Sequence, residues 1–188
     1  MNAVELKKPS LHHLAGYLDA LKRGWSPDNL RDEVRGEEIR EIERDADAFL
    51  AAQDDPEAKG PPIRVADGSF VARLPGIHRW LWDGEFCGSI GLRWQAGTPD
   101  LPPTCPGHIG YAVVPWKRGR GYATAALHLI LPEARAAGLP YVDVTTGLDN
   151  EASKRVILAN GGVFVERFPR GPQFGGSEGV RYRIQLDA

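Results

Sequence analysis

Residues 109–131, IGYAVVPWKRGRGYATAALHLIL, constrain the fold most strongly because they change character twice within a short stretch. Residues 109–114 are apolar and partly β-branched, which favours a buried strand. Residues 117–121 carry three cations and two glycines, and an apolar helical periodicity starts at Tyr122. A strand that feeds a helix through so short a turn predicts an α/β structure.

Strand and helix patterns alternate along the rest of the chain, without an internal repeat. Connections rich in proline or glycine separate them at residues 54–69, 95–107 and 169–179, and Gly36 is expected to break the second helix. The patterns predict strands at 4–8, 79–83, 86–94, 108–114, 141–146, 163–168 and 180–186, and helices at 10–24, 28–50, 122–137 and 149–160. The expected fold class is therefore α/β, a mixed sheet of about six or seven strands flanked by about four helices.

Length and composition bound the class of protein. With 188 residues the chain is expected to form one domain, and a formal net charge of −2 gives no general attraction to nucleic acid or to a membrane surface. Cys87 and Cys105 lie 18 residues apart without a CxxC pair, so neither a zinc site nor a disulfide framework is expected. The N-terminus lacks the apolar core of a signal peptide, and no run reaches the ~18 apolar residues of a membrane helix. We expect a cytoplasmic protein without a metal.

The turn between the strand and the helix has the composition of an anion site. Gly119 and Gly121 permit positive φ angles, and the first N–H groups of the helix carry the partial positive charge of its dipole. Lys117, Arg118 and Arg120 add cations, and arginine can bind a phosphate through two parallel hydrogen bonds. A diphosphate ligand fits these features, and a solvated basic loop is the alternative.

Two common phosphate-binding motifs fit the turn poorly. A P-loop requires GxxxxGK followed by Ser or Thr, and no such pair follows Gly121. A dinucleotide fold requires GxGxxG or GxGxxA, whereas Thr124 occupies the third position here. Asp143 lies at about the right distance to hold a ribose, although in the middle of a predicted strand. A nicotinamide oxidoreductase built on Gly119, Gly121 and Asp143 remains an alternative with a weak match.

The same turn resembles motif A of the GNAT superfamily of acyl-CoA N-acyltransferases, Q/R-x-x-G-x-G/A, which stands here as RGRGYA at residues 118–123. DNEASKRVILANGGVF at residues 149–164 is similar to motif B of the family, N-x-x-S-x-x-x-L/I followed by glycines. The resemblance covers roughly the last 110 residues and is greatest to the branch of ribosomal-protein N-terminal acetyltransferases and their uncharacterised bacterial relatives. It implies a mostly antiparallel sheet, splayed between the motif A strand and the strand at 141–146.

The resemblance implies acetyl-CoA as cosubstrate and no metal. The N–H of Val113 or Val114 would polarise the thioester carbonyl and stabilise the oxyanion. Asn150 would contact the pantetheine arm while it caps the following helix. The diphosphate would lie on the N–H groups of motif A, which belong to Arg118, Gly119, Arg120, Gly121, Tyr122 and Ala123.

The resemblance also suggests catalytic residues. His108 starts the motif A strand, near the position of a glutamate base in some relatives, and is the candidate general base. The alternative is a histidine at a strand end without a catalytic role, and Glu85 at the predicted hairpin tip is a second candidate base. Ser153 lies where this branch carries a hydroxyl near the thioester sulfur, and Ile157 replaces the tyrosine that many relatives use there.

These features together predict a single acyl-CoA N-acyltransferase domain over residues 1–188, with the acceptor side in 1–75 and the CoA-binding core in 79–186. The expected reaction transfers an acetyl group from acetyl-CoA to a primary amine of an unidentified small molecule or peptide N-terminus, by direct attack in a ternary complex. A non-catalytic CoA-binding or interaction module of the same fold is the alternative. The resemblance to the family also implies a homodimer, whereas neither nucleic acid nor a membrane is an expected partner.

Overall fold

The computed structural model describes residues 3–65, 67–171 and 176–186, and all structural statements concern these ranges. The strands are β1 Glu5–Lys7, β2 Asp54–Asp55, β3 Ile63–Arg64, β4 Phe70–Val71, β5 Gly76–Trp82, β6 Phe86–Arg93, β7 Ile109–Val113, β8 Tyr141–Gly147, β9 Val163–Pro169 and β10 Glu178–Gln185. The α-helices are α1 Leu11–Lys22, α2 Val34–Arg44, α3 Ala46–Ala51, α4 Tyr122–Ala136 and α5 Glu151–Ala159, and a short 3-10 helix spans Pro115–Lys117.

The strands form two antiparallel sheets and a separate hairpin. The first sheet has the order β1-β5-β6-β7, and β2 pairs with the opposite end of β5 from β1. The second sheet has the order β8-β10-β9, and β3 pairs with β4. The strands β2 and β3 lie in the segment 54–69, for which the sequence predicts a loop. The predicted fold class, α/β with a mostly antiparallel arrangement, is confirmed.

The strands β7 and β8 are neighbours that separate along their length. They meet where the N–H of His108 donates to the carbonyl oxygen of Asp143 at 2.7 Å. Beyond this contact the ladder of β7 is formed with β6 and that of β8 with β10. A gap therefore opens between the two sheets towards Val113, as the resemblance to the GNAT superfamily implies.

Two apolar clusters hold the first sheet from its two faces. One cluster includes the fully buried Ile90, Leu127 and Ile157, and lies against α4 and α5. The other lies under α1 to α3, where Tyr17 stacks on Trp80 with ring centroids 4.5 Å apart. Because β7 contributes side chains to both clusters, packing fixes its position on each side.

The helix predicted at residues 28–50 is wrong in its boundaries. The carboxylate of Asp28 accepts the N–H groups of the second and third residues after it, at 2.7 and 3.1 Å, and α2 begins only at Val34. Gly36 lies inside α2, and the break falls instead at Asp45, whose extended backbone leads into α3. The Asp45 side chain caps α3 by accepting an N–H at 2.9 Å. Side-chain bonds to the backbone therefore divide a segment in which the apolar periodicity continues.

Glu38 of α2 is partly buried against α1 and accepts a hydrogen bond from the hydroxyl of Tyr17 at 2.5 Å. Burial raises the pKa of Glu38 to about 7, and the charges of Glu41, Asp28 and Glu37 add to the rise while the Tyr17 hydrogen bond opposes it. The folded protein thus retains a proton that the unfolded chain loses near the ordinary value of 4.5. The contribution of Glu38 to stability consequently becomes less favourable as the pH rises from about 4.5 to 7.

We expect Glu38→Gln to raise the free energy of unfolding at pH 8 by about 2 kcal/mol and to leave it unchanged near pH 4, because the amide removes the cost of the buried charge. Chemical denaturation at the two pH values measures the difference. Glu43→Gln, at an exposed position of the same helix whose charge is not among those that raise the pKa of Glu38, is the control. A stabilisation of equal size at both pH values would contradict a buried, protonated carboxyl group.

Candidate active site

The turn between β7 and α4 has the open, left-handed backbone of an anion site. Gly119 and Gly121 have φ angles of +73° and +80°, a region that favours glycine. A Cβ at either position would meet no described atom within 4 Å, so the space beside the turn is open. Gly121 precedes α4, and the regular helical bonding starts where the N–H of Ala125 donates to the carbonyl oxygen of Gly121 at 3.0 Å. The earlier N–H groups of the helix therefore point out of its open end.

Two of the three cations predicted at the turn stay at the surface. The Nε of Arg118 donates to the carbonyl oxygen of Val113 at 3.2 Å, and a guanidinium nitrogen of Arg120 lies 3.4 Å from a carbonyl oxygen of the preceding 3-10 helix. Lys117 is buried instead, and its Nζ lies 2.7 Å from a carboxylate oxygen of Asp83. Lys117 is thus engaged within the protein, whereas the two arginines are placed to meet a ligand.

The pairing of β7 with β6 decides which backbone groups face the gap. Val114 donates its N–H to the carbonyl oxygen of Cys87 at 2.9 Å, and the alternation of a strand turns the N–H groups of Val113 and Tyr111 away from β6. The carbonyl of Tyr111, which points the same way, accepts a hydrogen bond from the Asn29 side chain at 3.2 Å. Of the two amides predicted to polarise a thioester, that of Val113 faces the gap. The amide of Val114 is used within the first sheet, and its side chain is fully buried.

Two hydroxyl groups connect the opposite sides of the gap. The Oγ of Ser153, in the first turn of α5, lies 2.7 Å from the hydroxyl oxygen of Tyr111 on β7. Asn150 caps α5 as predicted, because its Oδ1 accepts the N–H of Ser153 at 3.0 Å. The structure therefore places Ser153 and Asn150 together at the gap that Val113 faces.

Sequence reasoning missed Tyr111. Its partner Ser153 lies 42 residues further along the chain, so no local pattern contains the pair. Strand alternation could have placed Tyr111 on the same face of β7 as Ile109, which is buried against the α4 side. Burial raises the pKa of Tyr111, and the Ser153 hydrogen bond lowers it by less, so the phenol stays protonated at neutral pH.

His108 is 1% exposed, and both of its ring nitrogens have partners. The Nδ1 accepts the N–H of Asp143 at 2.9 Å, and the Nε2 lies 3.1 Å from the carbonyl oxygen of Pro99. Because a carbonyl can only accept, the Nε2 carries the proton, and the lone pair on Nδ1 is engaged by Asp143. Burial lowers the pKa of His108 although the charge of Asp143 opposes this. The arrangement favours a residue that positions β7 against β8 over the predicted general base.

Two acidic residues singled out in the sequence also have partners in the fold. The carboxylate of Asp143 accepts two hydrogen bonds from Arg183 at 2.7 and 2.9 Å, which leaves it poorly placed for the ribose of a nicotinamide cofactor. The side chain of Glu85 is 83% exposed and lies 3.2 Å from the Nζ of Lys117, beside the turn rather than in the gap. Neither carboxylate occupies the place of a base next to Ser153.

The sequence matches the family described as an acetyltransferase (GNAT) domain over residues 38–163. The chain belongs to the GNAT family of acetyltransferases. The matched region contains β7, the glycine turn, α4, β8 and α5, which together form the candidate site. For this GNAT protein the predicted family and the prediction of an acetyl-CoA-dependent acetyltransferase are confirmed.

Several solved structures share the fold of this GNAT protein. RimJ of Mycobacterium smegmatis, in complex with CoA-disulfide, has a TM-score of 0.66 at 19% identity, and the match covers 98% of this chain and 82% of RimJ. RimL, described as a ribosomal L7/L12 alpha-N-protein acetyltransferase in complex with coenzyme A, has a TM-score of 0.64 at 14% identity and coverage of 100% and 97%. The microcin C7 self-immunity acetyltransferase MccE, with acetyl-CoA and AMP, has a TM-score of 0.64 at 11% identity and coverage of 97% and 92%. No curated protein sequence gives a significant match. At these identities the likeness shows a common fold.

Three further observations describe the surroundings of the GNAT site. Across residues 3–65, 67–171 and 176–186, no helix combines the length and the apolar character needed to cross a bilayer. In the same ranges, three or more His, Cys, Asp or Glu side chains nowhere form a group that could hold a metal ion. Cys87 is buried, Cys105 is partly buried, and both are free thiols.

Proposed function

We propose that the protein transfers the acetyl group of acetyl-CoA to a primary amine of a small molecule or a peptide N-terminus, by direct attack in a ternary complex. The gap between β7 and β8 carries this proposal. The N–H of Val113 faces the gap, and the hydroxyls of Tyr111 and Ser153 meet across it. The glycine turn follows the end of β7 at which the gap opens. An extended thioester with a diphosphate at its far end fits such a gap.

The coenzyme is held mainly by backbone groups. The pantetheine arm lies along the free edge of β7 as an added strand would, with Asn150 on the opposite side. The exposed guanidinium groups of Arg118 and Arg120 add positive charge beside the turn. The diphosphate lies on N–H groups of the turn, from Arg118, Gly119, Arg120 and Gly121, and of the open end of α4, from Tyr122 and Ala123. The N–H of Arg118 also donates to the carbonyl oxygen of Pro115, at 3.4 Å, and is therefore the least available of the six.

The neutral amine attacks the thioester carbon, a C–N bond forms, the C–S bond breaks, and the amine proton leaves to water. The N–H of Val113 stabilises the oxyanion of the tetrahedral intermediate. The mechanism uses Tyr111 as the donor in its 2.7 Å contact with the Oγ of Ser153, which leaves the proton of Ser153 for the departing sulfur. His108 holds β7 against β8 and accepts no proton during the reaction.

The pKa of the amine then decides which acceptors react. At pH 7 a lysine side chain with a pKa of ~10.4 costs roughly 4–5 kcal/mol to deprotonate, whereas an α-amine near ~7.8 costs about 1 kcal/mol. Because both ring nitrogens of His108 are engaged, we expect the site to accept only amines with the smaller deprotonation cost of about 1 kcal/mol. This supports a peptide N-terminus or a similarly weak base as the acceptor. RimL, which shares the fold, is described as an enzyme that acts on an α-amine. In this proposal residues 1–75 form the acceptor side, and residues 79–186 form the coenzyme side of one domain.

A panel of short peptides and small amines tests the function. Thiol release from acetyl-CoA is followed at pH 7, and mass spectrometry locates the acetyl group on the product. We expect α-amines of peptides to react faster than lysine side chains. Coenzyme binding without acetyl transfer to any amine of the panel would instead favour the non-catalytic CoA-binding module.

A homodimer and a cytoplasmic location stay predictions. The strand β9 forms the outer edge of the second sheet and exposes Val163, Phe164 and Val165 to solvent by 44% or more. Pairing between copies at this edge would cover these side chains, and sedimentation equilibrium measures the resulting mass.

The Tyr111–Ser153 pair is tested by a double-mutant cycle. We expect Ser153→Ala to lower kcat about tenfold and Tyr111→Phe about threefold, with KM for acetyl-CoA changed less than about twofold, because a thiolate leaves slowly without a hydrogen-bond donor. The double variant should lose no more than Ser153→Ala alone, because Tyr111 acts through Ser153. Independent, multiplying losses would show that the two hydroxyls do not work as one unit.

A further inference from the structure

Asp83 lies in the connection between β5 and β6, and its carboxylate contacts the residues on both sides of the glycine turn. One oxygen lies 2.7 Å from the Nζ of Lys117, the last residue of the 3-10 helix before the turn. The other oxygen accepts a hydrogen bond from the hydroxyl of Tyr122, the first residue of α4, at 2.5 Å. A single carboxylate on the β5–β6 hairpin therefore joins the two ends of the segment 118–121.

These contacts lie away from solvent. The side chains of Lys117 and Asp83 are only 8% and 13% exposed, so salt and water screen their attraction much less than they would at the surface. Burial raises the pKa of Asp83, but the hydrogen bonds from Lys117 and Tyr122 outweigh it and hold the pKa well below the usual range of a carboxyl group. Asp83 is therefore ionised over the whole pH range in which the protein is expected to work.

The two glycines of the turn make its backbone flexible. Gly119 and Gly121 restrict the backbone less than other residues do, and no described atom lies within 4 Å of the place where either would carry a Cβ. An N–H group binds a phosphate well only when it is already directed at it, because ordering the backbone during binding costs free energy. Fixing the residues before and after the turn is one way to direct these groups.

We propose that Asp83 is a positioning residue that sets the glycine turn in its diphosphate-binding conformation without touching the coenzyme. This inference rests on the proposed function, because it assumes that the turn binds the diphosphate of coenzyme A. Removing either contact lets the end of the turn move, which weakens binding of the part of the coenzyme that carries the diphosphate. The acetyl-transfer step, which takes place further along β7, is affected less.

The test uses two variants of the full chain and one matched control. Tyr122→Phe removes one hydrogen bond and keeps the buried ring, and Asp83→Asn removes the charge that faces Lys117. Glu133→Gln is the control, because it disrupts the ion pair between Arg79 on β5 and Glu133 on α4, which is also largely shielded from solvent. All four proteins are compared by thermal unfolding, by calorimetry with coenzyme A, and by kinetics with acetyl-CoA and with S-acetylpantetheine, which lacks the diphosphate.

We expect the dissociation constant of coenzyme A to rise about tenfold in Asp83→Asn and about threefold in Tyr122→Phe, and to stay unchanged in Glu133→Gln. The loss in kcat/KM should appear mainly in KM and should be several times larger for acetyl-CoA than for S-acetylpantetheine. If Asp83→Asn does not fold, Tyr122→Phe decides the question alone. Wild-type affinity in Tyr122→Phe and Asp83→Asn, or equal losses with both thioesters, would overturn the positioning role while leaving the proposed function intact. A wild-type protein that binds no coenzyme A would overturn both.

Discussion

Replacing Arg118 and Arg120 together by glutamate should raise the dissociation constant of coenzyme A at least about tenfold. Both side chains are exposed beside the turn, and each replacement exchanges attraction to the diphosphate for repulsion. Even in the high dielectric of a surface site, two such reversals at a few ångströms from a diphosphate amount to more than about 1.4 kcal/mol. Isothermal titration calorimetry at low and at physiological salt measures the change, and the loss should be larger at low salt.

Two other exposed arginines provide the matched control. Arg135 lies near the C-terminal end of α4, about 20 Å along the helix from the turn, and Arg167 lies on β9. Their joint replacement by glutamate changes the net charge by the same amount and should leave the affinity within about twofold of the wild type. Equal losses in the two double variants would mean that the total charge, rather than the turn, determines binding.

Replacing His108 by alanine should lower the free energy of unfolding by about 3 kcal/mol, because a buried side chain is lost and the N–H of Asp143 loses its acceptor. The meeting point of β7 and β8 then loosens, and we expect KM for acetyl-CoA to rise at least about tenfold. The ratio of the variant kcat to the wild-type kcat should stay constant between about pH 6.5 and 8.5, because in the proposed mechanism His108 takes no proton. Steady-state kinetics across this pH range and chemical denaturation measure both effects.

His108→Asn separates the positioning role from a general base. Its amide oxygen can accept the N–H of Asp143 much as Nδ1 does, so we expect this variant to recover part of the stability and of the affinity for acetyl-CoA. The exposed His128 of α4, replaced by alanine, controls for the loss of a histidine elsewhere. If His108 were a general base, the loss of kcat in both His108 variants would grow below about pH 7.5. The asparagine variant would then have no higher kcat than the alanine variant.

The elements around the turn could be predicted from the sequence because their signals are local. The expected strand at 108–114 is β7 at Ile109–Val113, and the helix expected at 149–160 is α5 at Glu151–Ala159. A left-handed glycine, the start of a helix and an asparagine cap are each determined by residues that lie within a few positions of each other in the sequence. The coenzyme side of the candidate site was therefore largely accessible to sequence reasoning.

The catalytic side depends on contacts between distant segments. The partners of His108 and Tyr111 lie 35 and 42 residues along the chain, and the sequence does not show that these pairs meet. Periodicity gives the face on which a side chain lies, but it does not give the groups that meet it there. For the same reason Lys117 counts as a ligand cation in the sequence, whereas the fold pairs it with Asp83, 34 residues earlier.

A crystal structure of the protein with acetyl-CoA would show where the coenzyme binds. We predict the coenzyme in the gap between β7 and β8, with diphosphate oxygens within hydrogen-bond distance of N–H groups between residues 118 and 123. We also predict the thioester carbonyl oxygen at the N–H of Val113 and the sulfur beside the hydroxyl of Ser153. A coenzyme bound outside this gap, or a diphosphate held away from the glycine turn, would contradict these predictions.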